Sequence, residues 1–439
     1  MSDIRRIAYE TLLAAEDEGG EGSLIKDVLD KYSYLERSDR SFIKRLTEGV
    51  TERKITLDHV ISQYSKITVP KMKKPVRVLL RMGAYQLLFM EGVPDHAAIS
   101  ETVDIIKKTP LRSLSGFVNA VLRNIQRHRG DIAWPDKDKD LVHYLSVTYS
   151  CPKWIAEKLV EEQGEDKAET LLALSVSVRP VTARMNLSLA DPADILADPS
   201  IKRSDVLCEA VVLDDYDRIT DIGAFADGRI CIQDISSMLT VHVAGIRKDD
   251  TVIDLCAAPG GKSLHAADIA TCGKVLSFDV SEDKIEKIRE NIARCGFKNI
   301  ETKVADSTVY DESLKARADV VIADVPCSGL GVMGRKNDIK YRVLPQSIYE
   351  LVIIQRAILR NAAKYVKSGG TLIFSTCTCS KAENDDNRTF LIDECGMKPV
   401  DLYDALPDAL KDESAHEGFI QLYGKDALTD GFYIAKFTK

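Results

Sequence analysis

Apolar residues recur at helical spacing through the first 130 residues of the chain. Six segments place apolar side chains at positions i, i+3 and i+4, the pattern of amphipathic helices around a shared core. They are IRRIAYETLLAA, SLIKDVLDKY, SFIKRLTEGVTERKITLDHVISQY, KPVRVLLRMGAYQLLFM, HAAISETVDIIKK and LSGFVNAVLRNIQRH. Short polar, Pro- or Gly-containing stretches separate them. The pattern therefore predicts a compact all-α bundle over residues 1–130.

The pattern becomes mixed after a polar stretch at residues 129–140. Two more helical segments are followed by RPVTARMNLS and CEAVVLDD, which are typical of strands, with a short helix at PADILA between them. RICIQDISSMLTVHVAG then predicts a strand that leads into a helix. We interpret residues 131–235 as a small α+β connector.

From residue 236 to residue 439, strands and helices alternate. The predicted strands are TVIDLC, KVLSFDV, IETKVAD, ADVVIADV and TLIFSTCT. A long helix that starts at PQSIYELV is predicted to end at Gly369 and Gly370, a common C-terminal signal. This rhythm predicts a mostly parallel, doubly wound sheet of the Rossmann type. The fold class is therefore multidomain, with a helical bundle, a connector and an α/β domain.

Length and composition agree with a globular protein of several domains. The 439 residues exceed the size of one ordinary domain, and 45% are hydrophobic. The start, MSDIRRIAYE, has no apolar core of a signal peptide, and apolar runs stay well short of the ~18 residues of a membrane span. We expect a cytoplasmic protein without membrane association.

Positive charge is concentrated in the predicted bundle. The chain carries a net charge of −8, yet residues 1–130 hold 22 Lys and Arg against 17 Asp and Glu. Between Arg53 and Met90 there are eight basic residues and one acid, Asp58. This stretch is either an ordinary solvated helix face or a surface for nucleic acid.

The ten cysteines are scattered, and two of them follow a predicted strand one residue apart. FSTCTCSKAEND places Cys377 and Cys379 there. A metal site, a disulfide, a nucleophile or no role at all could explain the pair. The chain has no C-x-x-C motif and is long for a disulfide scaffold, so we expect neither a structural metal nor disulfides.

The stretch DLCAAPGGKS, residues 254–263, joins a predicted buried strand to a helix. Gly260 and Gly261 would let a ligand approach the backbone, although a tight turn without a ligand is the simpler alternative. Asp279, Asp306 and Asp324 end or follow the next three strands. Because ligands of open α/β sheets bind at the carboxyl ends of strands, these acids favour a binding site there.

Three motifs carry a specific resemblance. DLCAAPGGKS, ADVPCSGLG and FSTCTCSKAEN, with the ending DGFYIAKF, resemble the Nol1/Nop2/Sun family of RNA cytosine-C5 methyltransferases. The helical segment is similar to the NusB-like RNA-binding domain, so the resemblance covers nearly the whole chain.

The resemblance implies S-adenosylmethionine (SAM) as cofactor. Asp279 would hold the ribose hydroxyls, Asp306 would lie at the adenine, and Asp324 would lie near both the methyl donor and the target base. The loop expected to hold the methionine part consists of Cys256, Ala257, Ala258, Pro259, Gly260, Gly261 and Lys262.

The resemblance also gives the cysteines roles. Carbon 5 of cytosine is a poor nucleophile, and addition of a thiolate to C6 activates it. The family pattern selects Cys377 as this nucleophile, Cys327 as the group that assists release, and Asp324 as the group that hydrogen-bonds the ring and helps protonate N3. Chemistry alone does not choose between Cys377 and Cys379; we interpret Cys379 as a packing thiol.

The expected substrate is 16S rRNA, as naked RNA or in an early small-subunit particle, acted on by a monomer. Three alternatives stay open at this point. The chain could modify tRNA, it could be a non-catalytic RNA-binding assembly factor, or it could methylate a small molecule.

Overall fold

A computed structural model describes residues 4–18, 22–424 and 429–439 of the chain. Its contacts divide the chain into two compact units. The first unit contains residues 1–177 and 333–342, and the second contains residues 178–332 and 343–439.

The described residues form eighteen α-helices and twelve strands. The helices are α1 Ile4–Glu18, α2 Gly22–Lys31, α3 Arg37–Glu52, α4 Lys54–Tyr64, α5 Lys74–Phe89, α6 Asp95–Lys107, α7 Ser115–Arg127, α8 Leu141–Thr148, α9 Lys153–Gln163, α10 Glu165–Leu174, α11 Pro192–Leu196, α12 Gly223–Ala226, α13 Ile235–His242, α14 Gly261–Ile269, α15 Glu282–Cys295, α16 Ile339–Arg342, α17 Pro345–Tyr365 and α18 Asp385–Asp393. The strands are β1 Val181–Met185, β2 Ile201–Arg203, β3 Ala210–Leu213, β4 Ile230–Ile232, β5 Thr251–Asp254, β6 Lys274–Asp279, β7 Ile300–Val304, β8 Ala318–Asp324, β9 Val366–Thr376, β10 Lys398–Pro399, β11 Phe419–Tyr423 and β12 Gly431–Thr438. Short 3₁₀ turns lie at Val69–Lys71, Arg112–Leu114, Arg129–Asp131, Ile219–Asp221, Glu312–Leu314, Tyr403–Ala405, Asp408–Leu410 and Glu413–Glu417.

The first unit is the predicted helical bundle, with one correction. Its core is built from buried side chains such as Leu46, Leu79 and Leu122. The segment predicted as one helix is broken at Arg53 into α3 and α4. The Arg53 guanidinium donates to the carbonyl oxygens of Thr148 (3.3 Å) and Val176 (3.1 Å). These long-range contacts hold the Arg53 side chain at the break, and apolar periodicity alone does not reveal them.

The segment at residues 333–342 belongs to the first unit. Lys340 is buried and donates from Nζ to the Glu52 carbonyl oxygen over 2.9 Å. The Tyr341 hydroxyl lies 3.2 Å from Ser150 Oγ. Contacts thus group residues 131–177 and 333–342 with the bundle, whereas the sequence suggested segments 1–130, 131–235 and 236–439. Those three boundaries stay a prediction, because contact density does not test which parts fold alone.

The second unit contains two sheets. The smaller one is antiparallel in the order β2-β3-β1-β4. β1, β3 and β4 were predicted, and the three-residue β2 was too short to leave a pattern.

The larger sheet confirms the predicted doubly wound architecture. Its order is β10-β12-β9-β8-β5-β6-β7, with β11 paired to β12. The strands from β9 to β7 are parallel, and β12 adds an antiparallel edge. Residues of α13, α14 and α15 pack on one face and residues of α17 and α18 on the other. β10 and β11 were not predicted.

The predicted glycine signal at the end of the long helix is wrong, although the segment PQSIYELVIIQRAILRNAAKYV ends within one residue of α17. α17 ends at Tyr365, and β9 begins at Val366, which pairs with Ala318. Gly369, with φ of +75°, lies inside the strand, near the register shift between Ala318 and Val320. A Cβ on Gly370 would lie 2.8 Å from the Asp319 carbonyl oxygen. The two glycines therefore serve an irregular, closely packed strand rather than a helix end.

The described residues contain neither a membrane-spanning helix nor a cluster of potential metal ligands. In residues 4–18, 22–424 and 429–439, no helix is long and apolar enough to cross a membrane. Within the same ranges, no three His, Cys, Asp or Glu side chains are grouped as a metal site would need.

Candidate active site

The carboxyl edge of the large sheet brings most of the predicted residues together. Asp279 ends β6, Asp324 ends β8, and Cys377 directly follows β9. The loop between β5 and α14 lies at the same edge, where Ala258 N donates to Asp279 Oδ2 over 3.0 Å. The parallel pairing of β6, β5, β8 and β9 is what aligns these ends.

The turn before α14 is shaped by glycine. Gly260 adopts φ of +106° at the helix start, a conformation that favours glycine, and a Cβ there would lie 3.3 Å from Ile288 Cγ2. Gly260 N donates to the Ala257 carbonyl oxygen over 2.7 Å. The peptide between Ala258 and Pro259 is cis. The turn is thus tightly closed, with its backbone next to a cavity.

The cavity is lined both by residues that the motif predicted and by residues that it did not. The predicted lining residues are Cys256, Ala257, Ala258, Pro259, Gly261, Lys262 and Asp324. The residues that sequence analysis missed are Ile232, Gln233, Asp234, Ser237 and Asp254. The four from Ile232 to Ser237 come from the end of β4 and the start of α13, and their sequence offers no motif. Asp254 is the first residue of the motif and ends β5, and the motif does not distinguish it from an ordinary strand-end residue.

Asp254 fits a cationic ligand group. It is fully buried, Oδ2 accepts from Ser263 Oγ (2.7 Å), and Oδ1 has no hydrogen-bond partner. Burial raises the pKa of Asp254 to about 6. SAM carries an ammonium and a sulfonium, so an unpaired buried carboxylate oxygen on the cavity wall suits it. The residues present therefore fit this cofactor.

Asp279 and Asp306 differ in their surroundings. Asp279 is buried, and besides Ala258 N it accepts from Val280 N (2.8 Å) and pairs with Lys284 (3.0 Å). Asp306 is exposed, and its Oδ1 accepts from the backbone and hydroxyl of Thr308 at 2.9 and 2.7 Å. These bonds lower the pKa of Asp306, as is usual for a turn residue. Its expected place at the adenine stays a prediction.

Lys262 contacts the predicted catalytic carboxylate. Its Nζ donates to Asp324 Oδ2 (2.7 Å) and to Ser237 Oγ (2.9 Å). Ser375 Oγ donates to the other oxygen, Asp324 Oδ1, over 2.8 Å. Burial opposes the charged ammonium, but the Asp324 carboxylate outweighs it and raises the pKa of Lys262. Lys262 and Asp324 therefore form a charged pair on the cavity wall.

The two strand-end thiols are in contact. Cys327 Sγ lies 3.2 Å from Cys377 Sγ, and both residues are partly exposed. The hydrogen bond to Cys377, followed by burial, raises the pKa of Cys327 well above its ordinary value. The Cys377 thiolate is in turn among the charges that raise the pKa of Lys262. All ten cysteines are free.

Asn384 holds the segment around Cys377. Its Oδ1 accepts from Thr376 Oγ1 (2.5 Å), and its Nδ2 donates to the Thr378 carbonyl oxygen (3.0 Å). Cys379 points elsewhere: it is fully buried, and its Sγ accepts from Gln421 Nε2 at 3.4 Å. Cys377 is thus partly exposed, whereas Cys379 lies in the core.

Comparison with known proteins decides the family. Residues 242–438 match the family described as 16S rRNA methyltransferase RsmB/F, and residues 2–127 match the NusB family. The chain is 33% identical to the probable ribosomal RNA small subunit methyltransferase B of Bacillus subtilis (strain 168), over 100% of this chain and 99% of that protein. The chain belongs to the RsmB/F family. Its cofactor is SAM, as the motifs predicted.

Further relatives agree with this RsmB/F assignment. The ribosomal RNA small subunit methyltransferase B of Escherichia coli O127:H6 is 28% identical over 88% of this chain and 89% of that protein. The crystal structure of PH0851 has a TM-score of 0.81 at 22% identity, covering 100% of this chain and 98% of that one. NSun6 from Pyrococcus horikoshii, solved with SFG, has a TM-score of 0.58 at 22% identity, covering 66% and 98%. At these identities the solved structures support the fold.

Proposed function

We propose that this RsmB/F protein forms 5-methylcytosine in 16S rRNA through a covalent bond between Cys377 and the base. The observation that carries the proposal is the contact between two thiols, 3.2 Å apart, at the ends of β8 and β9. A methyltransferase that only binds RNA and SAM needs neither thiol. The names of the relatives, ribosomal RNA small subunit methyltransferase B, support the rRNA substrate.

The first chemical step is addition of Cys377. Its thiolate forms a bond to C6 of the cytosine, and the electrons of the C5–C6 double bond move so that C5 becomes nucleophilic. The Lys262 ammonium interacts with Cys377. Asp324, which accepts hydrogen bonds from Lys262 and Ser375, would hydrogen-bond the ring and support protonation at N3. The base must leave its stack to reach the thiols.

Cofactor chemistry and product release complete the cycle. When bound, SAM would supply a methyl group: its sulfonium–methyl bond breaks as the bond to C5 forms, and S-adenosylhomocysteine is the leaving group. The loop from Cys256 to Lys262, together with Asp254 and Asp279, would hold the cofactor. The C5 proton then passes to water, its electrons restore the C5–C6 double bond, the bond to Cys377 breaks to return the thiolate, and N3 gives up the proton that it gained in the first step. Cys327, in contact with Cys377, assists this release.

Three alternative functions receive less support. A tRNA substrate requires the same chemistry and differs only in the RNA recognised. A non-catalytic assembly factor would have no use for a thiol pair beside a charged Asp–Lys pair. A small-molecule methyltransferase would leave the NusB-type bundle without a purpose.

The test is transfer of labelled methyl groups from SAM to purified RNA. We expect label in 16S rRNA, offered as naked transcript or as small-subunit particles, and little in tRNA. Bisulfite sequencing of the labelled RNA should find one protected cytosine. Label at another base or at another atom of cytosine would reject the proposal, and label confined to tRNA would move it to the tRNA alternative. Sedimentation of the active protein would test the expected monomer.

A further inference from the structure

Glu383 is a fully buried carboxylate in the turn between β9 and α18. Its Oε1 accepts from Ser328 N at 2.8 Å, and its Oε2 accepts from Ser328 Oγ at 2.5 Å. Thr378 Oγ1 lies 3.4 Å from Oε2 and 2.8 Å from Ser328 Oγ. Ser328 directly follows Cys327, and Thr378 directly follows Cys377. One carboxylate therefore contacts the neighbour of each thiol.

A second group of amides fixes this carboxylate. Gln355 Nε2 donates to Glu383 Oε1 (3.0 Å) and also to the Pro326 carbonyl oxygen (2.9 Å). Asn387 Nδ2 donates to Gln355 Oε1 (2.8 Å) and to the Glu383 carbonyl oxygen (3.0 Å). α17 and α18 thus hold Glu383 and the peptide before Cys327 in one buried network.

The charge of Glu383 acts unequally on the two thiols. The donors that reach its side chain are a peptide N–H, hydroxyls and an amide, none of which carries a charge. Buried among neutral groups, a carboxylate is weakly screened and opposes a second negative charge nearby. Its charge is one cause of the raised pKa of Cys327, after the bond to Cys377 and burial. Cys377 instead interacts with the Lys262 ammonium.

We propose that Glu383 is the positioning residue of the thiol pair. It holds the loops after β8 and β9 so that the two Sγ atoms touch, and its buried charge lies on the Cys327 side of the pair. Among the other charged groups that face the pair, Asp324 acts on Cys327 in the same direction as Glu383, and the Lys262 ammonium interacts with Cys377. The catalytic role of this arrangement of thiols and charges rests on the proposed function.

Thiol alkylation tests the inference in the full-length protein without RNA or SAM. Iodoacetamide forms a bond to a thiolate and releases iodide, so its rate reports the thiolate fraction. Mass spectrometry of peptides should show Cys377 labelled before Cys327 in the wild type. Glu383→Gln keeps the shape and removes the charge. We expect it to lower the pH midpoint for alkylation of Cys327 by about one unit. The preference of iodoacetamide for Cys377 over Cys327 should then be smaller.

A second variant separates the effect of the Glu383 charge from the effect of its side-chain length. Glu383→Asp keeps the charge but shortens the side chain, so it should keep the alkylation midpoint and the preference for Cys377. Both variants should lower kcat about ten- to hundred-fold, because the loops lose charge-assisted hydrogen bonds, with little change in KM for RNA. A purely structural role would lower stability and activity without moving the alkylation midpoint.

The controls make each outcome decisive. Glu413→Gln removes an exposed carboxylate and should match the wild type in every measurement. Wild-type alkylation in a folded Glu383→Gln protein would overturn the inference. If Glu383→Gln fails to fold, the labelling order in the wild type decides: Cys377 labelled before Cys327 supports the inference, and Cys327 labelled first or at the same rate overturns it. Failure to methylate RNA would reject the proposed function and leave the alkylation result standing.

Discussion

The Lys262 ammonium donates a hydrogen bond to the Asp324 carboxylate over 2.7 Å, with the Phe432 ring 5.5 Å from the same nitrogen. The motif resemblance placed Lys262 among the residues that hold the methionine part of SAM. Lys262 lines the cavity together with that loop, and its ammonium also pairs with Asp324. Lys262 therefore links the cofactor turn to the groups that are proposed to act on the base.

The Lys262 pair gives the first prediction. Lys262→Gln should slow formation of the Cys377–RNA adduct about ten- to hundred-fold, because a charge-assisted bond and the charge beside Cys377 are lost. SAM affinity, measured by calorimetry, should change much less. Because the pKa of Lys262 is raised, the pair is fully formed below the ordinary lysine pKa and is lost only as pH rises through the higher value. The contribution of the Lys262–Asp324 pair to the rate of adduct formation should thus be constant between about pH 7 and 9.

Lys303→Gln is the matched control, since Lys303 is exposed on β7. It should leave both adduct formation and SAM affinity unchanged. A Lys262→Gln protein that forms the adduct at the wild-type rate but binds SAM poorly would return Lys262 to the cofactor role that the motif suggested.

Lys262 also illustrates how far the sequence could predict the site. The strand order and the motifs located the carboxyl edge, because βα alternation fixes which strand ends meet. They did not reveal that a lysine in the cofactor turn reaches across to the end of β8, because spacing gives no side-chain direction. Asp254 was missed for a related reason: its unpaired Oδ1 is visible only once burial and partners are known. The wall formed by Gln233 and Ser237 comes from the segment after β4 and from α13, and its sequence has no motif.

Asp279 and Asp306 should differ sharply in their effect on SAM binding. Asp279→Ala removes a buried carboxylate that orients Ala258, so we expect a ten- to hundred-fold loss of SAM affinity. Asp306→Ala removes an exposed turn residue and should cost less than tenfold. Calorimetry on both folded variants makes the comparison. Equal losses would restore Asp306 to the role that the family resemblance gave it.

Asp254 predicts a pH dependence of stability. Its pKa of about 6 lies above the ordinary 3.8, so its contribution is fully present below about pH 4 and is lost as pH rises through 6. The loss amounts to about 3 kcal/mol. Asp254→Asn cannot ionise, so its denaturant midpoint should rise relative to the wild type as pH rises from about 4 to about 6, and the difference should stay constant above that range.

Asp319→Asn provides a control of opposite sign for this measurement. Burial disfavours its charge, but Lys367 and Thr251 N outweigh burial and lower the pKa of Asp319. Ionised Asp319 is therefore stabilising, and the variant should lose stability relative to the wild type at pH 8. If the denaturant midpoints of both variants shifted in the same direction relative to the wild type, the pH argument for Asp254 would not hold.

RNA binding by the bundle should depend on its exposed lysines. Arg77 and Arg81 pair with Glu16, and Arg81 also binds Asp58, so these arginines form a neutralised cluster rather than a basic face. Lys66, Lys71 and Lys73 are exposed. Changing all three to Gln should weaken RNA binding and reduce the slope of log K against log salt by about two.

The control for RNA binding is a second triple variant with the same loss of charge. Lys303, Lys315 and Lys411 are exposed in the second unit, and their change to Gln should leave the salt slope unchanged. Substitutions suit this test better than deletion of residues 1–130, because residues 333–342 belong to the same unit. If the two triple variants changed the salt slope of RNA binding equally, the bundle would not be the main electrostatic contact with RNA.

The last prediction separates the three cysteines near β9. Cys377→Ala lacks the proposed nucleophile, so it should bind RNA and SAM but form no covalent complex. Cys327→Ala can attack and methylate once, and it should then accumulate an enzyme–RNA adduct that survives denaturing electrophoresis. The double variant should behave like Cys377→Ala, because release matters only after attack.

Cys379→Ala is the matched control, one residue along the same segment. Its thiol is fully buried and hydrogen-bonded to Gln421, so the variant should stay active and lose about 1 kcal/mol of stability from the small cavity. The measurement is a denaturing gel of all four proteins with SAM and a 16S rRNA fragment. An adduct from Cys377→Ala, or a folded but inactive Cys379→Ala without adduct, would transfer the nucleophilic role to Cys379. Its burial away from Cys327 is the structural reason to expect the opposite.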